Sequence, residues 1–188
     1  ILLLGAMIVS LILGMGLPTP VAYIIVALAL VPFMQQIGIP PLQAHFFVFY
    51  FAVFSTLTPP VAVSVLAAAK LANASFLNTA KDSLKIAMTT FIIPFAFVFS
   101  PELMSFPNVS ISTFIAIAEV IFVQLAVSVA SYGYFFRTLN GWNRLGYFIV
   151  ALTGFLAFTY DPNFWGVALS IFVVLSCYVF ISKKNVKA

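Results

Sequence analysis

The chain reads as a succession of apolar runs separated by short stretches rich in glycine, proline or charge, and the interruptions define the elements. Ile1 to Gly14 and Pro20 to Gln36 predict two apolar helices, joined by Gly14-Met15-Gly16-Leu17-Pro18-Thr19-Pro20. A full membrane crossing takes about 20 residues, with a usual range of about 17 to 25, so the first arm is undersized unless it begins upstream. Two geometries fit: a re-entrant hairpin, or two ordinary spans. A turn in water at a membrane surface usually carries charge. This one has glycines, prolines and one hydroxyl, which favours a hairpin tip held inside protein. Gly14 and Gly16 let the backbone turn tightly. Pro18 and Pro20 would free the carbonyls of Gly14 and Gly16 as far as those lie in helix.

A short connection, Gln35 to Gln43 with Gly38, Pro40 and Pro41, leads into a long apolar helix expected from about Ala44 to Asn73. It is interrupted by Ser55-Thr56-Leu57-Thr58-Pro59-Pro60. Neither proline can donate to the carbonyl four residues earlier, so the carbonyls of Ser55 and Thr56 are expected to lose their helical partners. An unsatisfied polar group in hydrocarbon costs several kcal/mol, so such a break survives only within protein or beside water. Roughly 30 residues are enough for two half-helices with an unwound middle. The hydroxyls of Ser55, Thr56 and Thr58 make the break rich in uncharged oxygen, which suits a small hard cation such as sodium. A kinked structural helix, its gaps filled by neighbours, is the competing reading of the same residues. The small residues Ala62, Ser64, Ala67, Ala68 and Ala69 predict close helix contact in the second half.

Further on, Lys70 to Lys85 is the first charged stretch and reads as an aqueous loop. Leu84 to Phe99, carrying Pro94, is a return helix, followed by a loop through Pro101, Glu102 and Pro107. Ile111 to Phe136 is a full span, Leu145 to Tyr160 a shorter one and Phe164 to Ile181 the last, before the tail Lys183-Lys184-Asn185-Val186-Lys187. With one crossing for residues 44–73, all 8 basic residues fall on one side of the membrane. The positive-inside rule makes that side the cytoplasm, with the C-terminus there and the hairpin opening from outside.

Composition narrows the class. The chain of 188 residues is 64% hydrophobic and 6% charged, against about 25% charged in soluble domains, and residues 1–69 hold no Asp, Glu, Lys or Arg. It is an integral, multi-pass membrane protein with an all-α fold, and the lipid bilayer is its first partner. The net charge of +4 marks cytoplasmic loops rather than nucleic-acid binding, which is rejected. Cys177 alone supports neither an internal disulfide nor a metal cluster. One His, one Cys and one intramembrane acid give no triad or carboxylate pair, so the chain does not read as an enzyme, and no organic cofactor is implied. Starting at Ile1 without a signal-peptide pattern, it looks like part of something longer.

Two motifs, G-M-G-L-P-T at 14–19 and S-T-L-T-P-P-V-A at 55–62, resemble the large membrane subunit of TRAP transporters, the tripartite ATP-independent periplasmic family. The likeness is greatest to the fused small-plus-large permeases of its TAXI branch. A-H-F-F-V-F-Y-F-A-V at 44–53, A-A-A at 67–69 and I-I-P-F-A-F-V-F-S-P-E-L-M at 92–104 support it. The resemblance implies an elevator-type, sodium-coupled importer of organic acids in a bacterial or archaeal cytoplasmic (inner) membrane. A periplasmic substrate-binding protein delivers the substrate, and a small membrane subunit is expected to be fused upstream of this fragment. Residues 1–105 would be the second inverted repeat, with a re-entrant hairpin and a broken helix, and 106–188 a C-terminal three-helix extension. The family's substrate and ion residues carry over as Gly14, Met15, Gly16, Pro18 and Thr19 at the tip and Ser55, Thr56, Thr58, Pro59 and Pro60 at the break. Thr19, Ser55, Thr56 and Thr58 are the candidate sodium ligands. Pro20 and Lys70 depart from the family pattern. A fragment holding one repeat is not expected to transport alone, since a midplane site needs ligands from both halves.

The alternative is a non-transporting structural membrane subunit, for which two helix breaks would be unnecessary. Glu119, the one acid within a span, is read as structurally paired, with Gln124 or a neighbouring helix. His45 is read as an exposed or capping side chain near the outer surface. The sequons at Asn73 and Asn108 carry no meaning in a bacterial membrane.

Overall fold

The computed structural model describes residues 1–159 and 164–184; the expected connection at 160–163 and the chain beyond 184 lie outside them. The chain divides into two compact units, Ile1–Met104 and Ser105–Ala188, considered separately below. The fold is all-α apart from one ladder of two-residue strands.

In the first unit, α1 (Leu2–Gly14) and α2 (Thr19–Gln36) form a helical hairpin. At about 1.5 Å per residue α1 is about 20 Å long, well short of the roughly 30 Å hydrocarbon layer. Pro20 falls in the first turn of α2, where a missing N–H costs nothing. Next come α3 (Pro41–Phe54), a 3-10 turn (Ser55–Leu57) and α4 (Val63–Leu71). The first unit's core is the seam where α1 and α2 meet α3, closed by Phe47, Phe51, Val26 and Met34, all fully buried. Phe91 and Phe95 meet Phe51 and Phe47 edge-on, with ring centroids 5.4 and 5.3 Å apart, a geometry that favours aromatic pairs. Tyr23 on α2 and His45 on α3 join through Oη and Nδ1 at 2.9 Å, so His45 is a cross-brace and neither a cap nor a free surface group.

The charged stretch corrects the expectation of a loop from Lys70 to Lys85. An α-helix, α5 (Phe76–Thr90), starts there and continues through α6 (Ile92–Phe99) as a 24-residue apolar span. Ala80 and Ala87 are buried on one side of α5, while Lys81, Asp82 and Lys85 are exposed on the other. The small-residue face of α4 is also narrower than expected: Ala62 and Ala69 are buried, whereas Ser64, Ala67 and Ala68 are exposed in this chain.

In the second unit, α7 (Ile111–Tyr132) starts at a capping box in which the Ser110 N–H donates to Thr113 Oγ1 at 3.2 Å. It ends four residues earlier than the expected Phe136, because Gly133 adopts a left-handed conformation, φ +66°. Strands β1 (Tyr134–Phe135) and β2 (Arg137–Thr138) pair antiparallel, and α8 (Gly141–Thr159) and α9 (Phe164–Lys184) follow. Arg144 of α8 donates from Nε to the Ala130 carbonyl at 2.9 Å and from Nη2 to the Ser131 carbonyl at 3.0 Å, closing the end of α7. Gly133→Ala is expected to lower stability by about 1–2 kcal/mol, the usual cost of a left-handed non-glycine residue. The new methyl would also press on Arg144 Cδ and Nε at 3.1 Å. Thermal unfolding of the detergent-solubilised protein measures this, and an unchanged midpoint would mean the cap contributes nothing.

Among the described residues four helical stretches are long and apolar enough to cross a membrane: Thr19–Gln36, Phe76–Phe99, Ile111–Tyr132 and Phe164–Ile181.

Candidate functional site

The tip of the α1–α2 hairpin lies against the break between α3 and α4. A methyl built on Gly14 would overlap Ser55 Oγ and lie 2.8 Å from Ser55 Cβ. A methyl built on Gly16 would meet Val61 Cγ1 at 3.2 Å, and Gly16 itself is at φ +76°. The turn therefore requires glycine twice, for close approach at Gly14 and for both conformation and space at Gly16. Gly14 is buried, Met15 and Thr19 are half-buried, and Gly16 and Pro18 are exposed in this chain. Thr19 opens α2, three residues beyond Gly16, and the hydroxyls of the break bond to their own helix and not to it.

At the break every hydroxyl donates backwards. Ser55 Oγ donates to the Ala52 carbonyl at 2.6 Å, Thr56 Oγ1 to Val53 at 2.9 Å and Thr58 Oγ1 to Phe54 at 3.0 Å. A hydroxyl has a single proton, so one committed in this way presents lone pairs to anything else that approaches. Ser55 is fully buried. Uncharged oxygens with their protons tied back are chemically suited to a hard cation.

Two backbone expectations are corrected. The Ser55 carbonyl is not left open by Pro59, because the chain tightens into a 3-10 turn and the Thr58 N–H donates to it at 3.1 Å. Gly14's carbonyl likewise accepts from the Leu17 N–H at 3.3 Å. Thr58 is extended, at φ −91° and ψ 122°, as a residue before proline should be. Its carbonyl accepts from the Ala62 N–H at 3.2 Å and keeps a second lone pair, so both its carbonyl and its hydroxyl oxygen can face a ligand. The Thr56 carbonyl keeps the expected isolation, since both residues that could bond it in a helix, Pro59 and Pro60, lack an N–H.

Helix polarity organises the same place. The C-terminal ends of α1 and of α3 meet where Gly14 touches Ser55. Where Gly16 touches Val61, the N-terminal ends of α2 and α4 lie two or three residues further along the chain. Helix C-termini carry partial negative charge and N-termini partial positive charge, so the first pair favours a cation and the second an anion.

Val61 and Ala62 belong to this site; the sequence placed both in the 55–62 motif and Ala62 among the small packing residues, but neither among the candidate site residues. Ala62 is fully buried at φ 41°, ψ 57° and precedes the first residue of α4. No sequence signal marks that conformation, because alanine has no preference for the left-handed region.

An apolar hairpin abutting an interrupted apolar helix, together with four membrane-length stretches, defines a multi-pass α-helical membrane protein with an interior polar break. The chain belongs to the family described as tripartite ATP-independent periplasmic transporter, DctM component, whose sequence model matches residues 1–109. It is a permease component of a transporter of that kind, the family that the 14–19 and 55–62 motifs resemble. No curated protein and no solved structure matches the chain.

Proposed function

We propose that this permease couples sodium entry to the import of organic acids, with sodium at the Gly14–Ser55 contact and the substrate carboxylate toward Gly16–Val61. The observation that carries the proposal is the sorting of helix ends, negative at one contact and positive at the other. Ser55, Thr56, Thr58 and Thr19 supply hydroxyl oxygens, and Thr56 and Thr58 carbonyls. Transporters of this family work with a periplasmic binding protein and membrane subunits, and we assign this chain the fused TAXI-type arrangement. In it residues 1–105 are one repeat of the transport domain and 106–188 the extension. The α1–α2 pair acts as a re-entrant hairpin, for which the shortness of α1 argues, in an inner membrane with the C-terminus cytoplasmic.

The test is uptake of a labelled carboxylate into proteoliposomes holding the complete permease, with its binding protein outside. Uptake is expected to require an inward sodium gradient and to cease when potassium replaces sodium. Equal uptake in potassium would refute sodium coupling, and no uptake of any carboxylate under a sodium gradient would favour a purely structural subunit.

A further inference from the structure

The second unit carries an open depression of about 450 Å³ lined by Ala130, Ser131, Gly141, Arg144, Leu145 and Phe148. It sits where α7 ends and α8 begins. Arg144 is exposed, and its two bonds to the Ala130 and Ser131 carbonyls hold the guanidinium in place. A guanidinium has further N–H groups beyond those two, in a planar fork that matches a phosphate.

Apart from Ser131, the rest of the lining carries no polar side chain. Phe148 lies one turn along α8 from Arg144, on the same face, with Leu145 between them. The depression therefore has a cationic end at the helix terminus and an apolar wall running into the span. Trp142 is 81% exposed and Tyr134 61% exposed close by in sequence, and such residues favour the headgroup level of a bilayer. Residues 120–160 contain Arg137 and Arg144 and no Asp or Glu, so the local charge selects an anion.

We propose that this depression is a binding site for an anionic phospholipid of the surrounding bilayer, its phosphate on Arg144 and the start of its acyl chain along Leu145 and Phe148. The preference comes from charge, since a zwitterionic headgroup offers the same phosphate with its charge cancelled.

Retention of defined lipids by the purified full chain, measured by native mass spectrometry, tests this. Phosphatidylglycerol is expected to be retained about tenfold better than phosphatidylcholine, a difference of about 1.4 kcal/mol. Arg144→Gln should abolish the preference but also removes the cap of α7. Gly141→Glu separates the two effects: a side chain there meets nothing within 4 Å, and an acid suits the first turn of a helix. It is expected to bring phosphatidylglycerol down to the phosphatidylcholine level. Equal retention of the two lipids by the parent protein, or a preference that survives Gly141→Glu, would overturn the proposal. Displacement of the lipid by millimolar inorganic phosphate that then binds alone would identify a free-anion site instead and overturn the assignment to lipid.

Discussion

Gly14→Val in the complete transporter is expected to cut uptake by about a hundredfold while leaving membrane insertion intact. Gly14 is buried, and even a methyl there would overlap Ser55 Oγ, lie 2.8 Å from Ser55 Cβ and reach Ala22 Cβ at 3.5 Å. Overpacking of this kind costs about 1–3 kcal/mol and is relieved by moving backbone. Here the backbone that can move is the tip, and displacing site groups by about 1 Å is enough to cost about 10²-fold. The steric origin can be isolated by unfolding measurements on a cycle of Gly14→Ala and Ser55→Gly. Removing the Ser55 side chain makes room for the Gly14→Ala methyl, so the double variant should be less destabilised than the sum of the singles. Parental uptake by Gly14→Val would show that the tip does not rest on the break in the working protein.

Thr58→Val is expected to raise the sodium concentration for half-maximal uptake by about tenfold, or about 1.4 kcal/mol, the scale of one ligand or hydrogen-bonding group. Valine keeps the shape and the backbone carbonyl and removes only the hydroxyl, so the effect isolates the side-chain oxygen. The substitution also deletes the bond to the Phe54 carbonyl. Thr58→Ser, which restores an O–H at the same place, should return most of the sodium affinity. A fall in uptake with unchanged sodium dependence would make Thr58 a packing residue.

The hairpin turn and the helix break were legible from sequence because glycine and proline act locally: each removes a donor or a Cβ at a fixed position. That the two meet was implied by the family resemblance and not by their spacing, since Gly14 and Ser55 come together through the packing of α1 on α3. The helix across Lys81, Asp82 and Lys85 was missed for a different reason. Average hydropathy blends the exposed charges with Ala80 and Ala87 on the opposite face, and lysine is itself a good helix former. The fate of the Ser55 carbonyl depended on whether the chain shortened its hydrogen bond from i+4 to i+3, a choice that Pro59 leaves open. The Tyr23–His45 brace joins two helices across 22 residues and has no local signature at all.

The tip and the break are built from glycine, proline, serine, threonine, methionine, leucine and valine, none of which changes charge near neutral pH. The part of the site that this chain supplies thus has fixed electrical character through a cycle. Whatever net charge moves with its occupants is the occupants' own, uncompensated by any side chain here. If one carboxylate travels with more than one sodium, each turnover carries current, and the resting voltage across the membrane becomes a driving force as direct as the concentration gradient.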